Sequence, residues 1–162
     1  MSTPLQRITT EYIATEDRVR LSGQSPSGTV VIWLSRRLLD RCVPVLTDML
    51  GSDRRLHAEL VQSFAQQAAA AALTPQTPVQ AGADSQSWLA HAIDFAPQAD
   101  AVQLTFRSAE HSATLQLAQT PLRQWLAILH QAYRRAEWST SMWPDWMEQQ
   151  DRAAEPAAAV MH

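Results

Sequence analysis

Residues 30–46 read VVIWLSRRLLDRCVPVL and residues 113–129 read ATLQLAQTPLRQWLAIL, and the apolar positions of the two coincide at an offset of 83. The match extends outward without a gap. It pairs Tyr12 with Phe95, Val19 with Val102, Leu21 with Leu104, Ile32 with Leu115 and Leu34 with Leu117, then Leu39 with Leu122, Cys42 with Trp125, Val43 with Leu126, Leu46 with Leu129 and Leu50 with Tyr133. Within each copy the period changes from two to a spacing of three and four, which is the signature of a strand feeding a helix. The pattern predicts an internal duplication, with two independently written strand-to-helix units as the alternative, since binary patterns arise readily.

Each half resolves into the same order of elements. In the first, RITTEYIAT, RVRLSG and TVVIWL alternate as half-buried strands, with QSPSG as the turn before the last. In the second, WLAHAIDFA, AVQLTFRS and ATLQLA answer them, with turns at PQAD and AEH. The following helices carry apolar residues at 39, 42, 43, 46, 49 and 50 and at 122, 125, 126, 129, 132 and 133. Thr120 is the expected N-cap of the second, with Pro121 at its first position. Pro44 predicts a kink or restart in the first.

Residues 53–73 place Leu56, Leu60, Val61 and Phe64 at helical spacing before an alanine run, and predict a middle helix with that stripe as its apolar face. TPQTPVQAGADSQS follows as an exposed, disordered linker. The expected organisation is one pseudo-symmetric domain over residues 1–152: first half 5–51, middle helix 53–73, linker 74–87, second half 88–136, Trp-rich tail 138–150, and a disordered end at 153–162. The fold class is α+β, βββ-α-α-βββ-α, with antiparallel strands covered by helices; the pattern leaves open whether the strands form one sheet or two. In element order it is similar to the head domains of the eukaryotic scaffold superfamily of DNA end joining and centriole assembly. That resemblance implies the alternative of a β-sandwich head with an inserted helical pair.

Composition narrows the function classes. A chain of 162 residues buries roughly two thirds of its unfolded surface without a covalent staple. All 13 basic residues are arginine and the chain has no lysine or asparagine, which points to a GC-rich bacterial genome. Schiff-base chemistry and a P-loop lysine are thereby excluded. Net charge of -3 disfavours nucleic acid and anionic membranes as partners. The single Cys42, the lack of a signal-peptide core and the lack of a membrane-length apolar run predict a cytoplasmic protein.

Motifs for chemistry are sparse. The five histidines, His57, His91, His111, His130 and His162, have no metal-ligand spacing, so no metal and no cofactor is expected. His130 reads as a helix-surface residue, and Cys42 as an inert core thiol on the apolar stripe. Glu11, Glu16 and Asp17 read as solvated turn formers rather than a catalytic pair. The pairs Arg36/Arg37 and Arg54/Arg55 sit near helix beginnings, where a cation opposes the dipole, and are candidate contacts for an anionic ligand. Arg134/Arg135 form a third pair.

AEWSTSMWPDWMEQQ, residues 136–150, concentrates Trp138, Met142, Trp143, Trp146 and Met147. Such a patch must be covered by the chain itself or by a partner. With no catalytic motif, the sequence predicts a non-enzymatic protein-interaction or self-assembly module contacting itself as a homodimer, or another protein, through this tail. The alternative is a small-molecule or peptide-binding domain with weak enzymatic activity, its ligand near Trp33 and Arg36/Arg37.

Overall fold

The computed structural model describes residues 2–51 and 58–148. Among the described residues eight strands form where six are expected. They are β1 (Thr3–Pro4), β2 (Arg7–Ile13), β3 (Arg18–Ser25), β4 (Gly28–Leu34), β5 (Gln86–Leu89), β6 (Ala92–Pro97), β7 (Ala101–Arg107) and β8 (Ser112–Ala118). The helices are α1 (Arg36–Leu50), α2 (Ala58–Ala71) and α3 (Gln119–Ala136), and a further helical segment starts at residue 145. The protein is thus mixed α+β, with two four-stranded sheets, ordered β1-β8-β7-β6 and β2-β3-β4-β5.

The two additional strands are exchanged between the halves. β1 leaves the first half to pair in parallel with β8, and β5 leaves the second to pair in parallel with β4. The registers correspond: Thr3 faces Ala113 and Pro4 faces Thr114, while Gln86 faces Val30 and Ser87 faces Val31, each shifted by 83. Consequently WLAHAIDFA is not one strand. Ala90 N–H still donates to Trp33 O in one sheet, and His91 N–H already donates to Arg107 O in the other. Leu5 and Gln6 make the same switch, donating to Thr114 O and Gln24 O.

The gapless match needs one correction. β5 is two residues longer than β1, so the strand after it is displaced by two. Leu21 pairs with Thr10, while its counterpart Leu104 pairs with Phe95. Phe95 therefore stands where Thr10 does, and Tyr12 corresponds to Pro97. The β6–β7 turn absorbs the shift, so β7, β8 and α3 return to the offset of 83.

One core cluster draws on both sheets and on α1 and α3. α1 buries Leu39, Cys42, Val43, Leu46 and Leu50, and α3 buries Leu122, Trp125, Leu126, Leu129 and Tyr133, as the stripes predict. Ser35 caps α1 by accepting from Leu38 N–H at 3.2 Å, and α1 runs as a single element through Pro44. α3 differs from expectation. It starts after Ala118, with no side-chain cap, and Pro121 falls third in its first turn, where an N–H has no intrahelical partner anyway.

The linker is exposed over most of its length, as expected, but it is anchored at one point: Val79 is buried, its N–H donates to Thr9 Oγ1 at 2.8 Å, and Arg7 Nη1 donates to Thr77 O. These bonds hold the linker against the edge strand β2. Gly23 has a packing reason, since a Cβ there would lie 2.8 Å from Leu5 Cδ2, beside the sheet switch. No helix among the described residues is long and apolar enough to cross a membrane.

Candidate functional site

α2 is built inside out. Leu60, Val61 and Phe64, read from sequence as its apolar face, are 57%, 60% and 60% exposed, while Gln62, Ser63 and Gln66 are buried. The expected orientation is reversed, and the cause lies on α3. Arg123 is buried there, with no carboxylate partner among the described residues.

Glutamines satisfy that cation instead. Arg123 Nη2 donates to Gln62 Oε1 at 2.5 Å and Nη1 lies 3.5 Å from Gln66 Oε1. The amide ends of the same two side chains donate onward, Gln62 to Leu50 O at 2.7 Å and Gln66 to Arg123 O at 2.8 Å. Leu50 O belongs to the last turn of α1, whose carbonyls lack intrahelical donors. Gln124 Nε2 adds a bond to Ala69 O at 2.9 Å, and the Trp146 ring covers the guanidinium at 5.6 Å. Burial lowers the Arg123 pKa. The charge is held by oriented carbonyl dipoles and a ring face, an arrangement that fixes α2 against α1 and α3 by its polar side.

The Trp-rich tail is enclosed. Trp138, Trp143, Trp146 and Met147 are buried and Met142 is partly buried against the same core, so the residues expected to meet a partner are covered by their own chain. Two backbone bonds turn the chain back after α3: Glu137 N–H to Arg134 O at 3.2 Å and Trp138 N–H to Tyr133 O at 3.0 Å. Glu137 sits between them at φ 58, the left-handed position where glycine is usual. The rings then pack edge to face, Trp138 on Tyr133 at 5.1 Å, Trp143 on Tyr133 at 5.4 Å and Trp143 on His130 at 4.9 Å. His130, expected at the surface, is buried under Trp143.

Polar anchors complete the seal. Trp138 Nε1 and Tyr12 Oη both donate to Asp17 Oδ1, at 3.1 Å and 2.7 Å, and that acceptor raises the Tyr12 pKa. Tyr133 Oη donates to Asp40 Oδ1 at 2.7 Å, and burial, reinforced by this bond, pushes its pKa up.

The remaining candidates are dispersed. Arg36 pairs with Asp40 across one helical turn at 3.5 Å, Arg37 is exposed, and Trp33 Nε1 donates to Ser87 Oγ at 3.1 Å. Arg54, Arg55 and His57, like His162, lie outside the described residues. Glu11 pairs with Arg20 at 3.5 Å. Cys42 is buried, its pKa pushed up to about 12 by desolvation. No group of three or more metal-ligating side chains occurs among the described residues.

Two open clefts of about 580 and 600 Å3 flank α3. One lies between the C-terminal end of α1, the β6–β7 turn and Gln119–Thr120, and the other between β2, the linker and Trp125. Among the described residues each is lined by a single ionisable side chain, Asp100 or Arg7. Neither brings together, from the described residues, the two groups that paired acid–base work requires. Compared with known proteins, the chain matches no family model, no curated sequence and no solved structure.

Proposed function

We propose that the protein is a non-enzymatic protein-interaction or self-assembly module whose contact surface is the outer face of α2. The observation that carries this reading is the inversion of the helix, with Leu60, Val61 and Phe64 more than half exposed above buried Gln62 and Gln66. Burying one such apolar side chain stabilises a fold by about 1.5–3 kcal/mol, so a helix serving only as a lid would turn them inward. Here the inward positions are committed to Arg123, and the apolar face is left for use outside the chain.

The test is a photoreactive phenylalanine analogue at position 64, with the same analogue at Arg37 as a control, expressed in the native host. Adducts specific to position 64 are expected. Their absence, or equal labelling at the control, overturns the reading.

A second reading, a small-molecule or peptide-binding domain, draws support from the clefts of about 580 and 600 Å3, a size that holds small ligands. The correspondence of strand registers at an offset of 83 supports descent of the two halves from one duplicated unit. Arginine-only basicity and a lone buried thiol support a bacterial, cytoplasmic origin.

A further inference from the structure

The outer face of α2 has an internal order. Val61, Phe64, Ala68 and Ala71 follow a spacing of three, four and three, which is the a/d seam of a coiled coil, and all four are exposed. The flanking outer positions Leu60, Gln67 and Ala72 are also uncharged, and no charged residue occurs from residue 60 to residue 83. A helix face with neither sign of charge offers nothing to an acidic or basic partner.

Size is graded along the seam, large at the N-terminal end and small at the C-terminal end. That gradient selects an occupant. In a parallel pair of α2 helices, Val61 and Phe64 would crowd their own copies while the alanine layers stood empty. In an antiparallel pair, the a and d positions share layers, so Phe64 meets Ala68 and Val61 meets Ala71, with Leu60 beside Ala72. Every layer then has one large and one small side chain, and the same layer recurs across the two-fold axis, as an isologous contact requires. The alanines let the helix axes approach to the lower end of the usual 8–10 Å.

We infer that the protein forms a symmetric homodimer through antiparallel pairing of two copies of α2, with Phe64 of one copy packed on Ala68 of the other. The inference rests on the interaction reading above and names its partner. Leu60, Val61 and Phe64 each expose more than half of their surface, and with the seam and flanking alanines offer on the order of 500 Å2 per copy, or ~1,000 Å2 in all. That is the lower edge of specific interfaces, so the dimer is a weak one that forms in the micromolar range and dissociates on dilution.

Sedimentation equilibrium of the full chain, from low-micromolar to sub-millimolar concentration, tests this. The mass should double across the range, V61E/F64E should remain monomeric, and F64A should move the midpoint to about tenfold higher concentration. The exchanged variant F64A/A68F should return it to within about threefold of the original, because the swap rebuilds the same layer from the opposite copy. Failure of the exchange to rescue F64A overturns the antiparallel register. A dimer untouched by V61E/F64E overturns the choice of face.

A chain that stays monomeric overturns the homodimer, and thermal melting of V61E/F64E then separates two cases. An unchanged Tm leaves the face free for a different protein, so the interaction reading stands without self-pairing. A Tm lowered by more than ~5 °C means the chain covers its own α2, and both fall.

Discussion

Two segments follow long amphipathic helices, residues 58–73 after α1 and residues 137–148 after α3, and both carry large apolar side chains. Their fates are opposite. The second turns back at Glu137 and sinks three tryptophans and Met147 into the core, whereas the first shows Leu60, Val61 and Phe64 to the outside and buries glutamines. The difference does not follow from hydrophobicity. It follows from what each segment finds beneath it: Tyr133, His130 and the Asp17 carboxylate accept rings with polar tips, while the Arg123 guanidinium and the end of α1 need carbonyl and amide groups. A buried cation has turned one helix over.

The contrast can be broken most severely at the tail. Trp143→Ala should cost about 3–5 kcal/mol in urea unfolding, since it empties the space between His130 and Tyr133, and a chain ending at Arg135 should lose cooperative unfolding. A loss below ~1 kcal/mol would mean that the tail is an ornament. Next is Arg123→Ala, which strands the Oε1 atoms of Gln62 and Gln66 and should cost about 2–4 kcal/mol. Arg123→Met, which keeps the volume, should lose nearly as much if the hydrogen bonds dominate and much less if packing does.

Alkali should weaken the core beneath these segments, carried by α1 and α3, without a mutation. Folded Cys42 and Tyr133 hold their protons more tightly than the unfolded chain does, so the stability they supply is complete below their ordinary pKa values and declines as pH rises through the folded ones. Stability should begin to fall near pH 9 and be lower by about 4 kcal/mol at pH 11. Thermal melts across that range should show the decline flattened in Cys42→Ala and Tyr133→Phe. Smaller still is Glu137→Gly, expected to stabilise by about 0.5–1 kcal/mol by relieving the left-handed position. Gly51, which ends α1 at φ -101, has no such need. At the bottom of the scale, Val61→Ser with Phe64→Ser, measured at low-micromolar concentration, should move stability by less than about 0.5 kcal/mol.

The helical stripes of α1 and α3 and the strand alternation are legible in the sequence because each depends on local period alone. The slide that sets Phe95 opposite Leu104 is not, since moving a strand by two residues keeps every side chain on its face and leaves the pattern unchanged. β1 is too short to have a period, and β5 runs into β6 with no turn residue to mark the change of sheet. For α2 the stripe is visible but its direction is not. Direction depends on Arg123, some sixty positions away, and a buried arginine in a helix looks like any surface arginine until its partners are known. That the tail needs a cover follows from its tryptophan density, but its covering by the chain itself and the burial of His130 follow only from where Trp143 comes to rest.

The exchange of β1 and β5 has a consequence for synthesis on the ribosome. Neither sheet belongs to one half, so neither can be finished in the order in which it is made. The first sheet to assemble leaves the edge of β4 open until β5 emerges, and Thr3–Pro4 must wait for Ala113–Thr114, an interval of roughly 5–20 s at ~5–20 residues per second. During that interval an exposed strand edge is available to any neighbouring nascent chain.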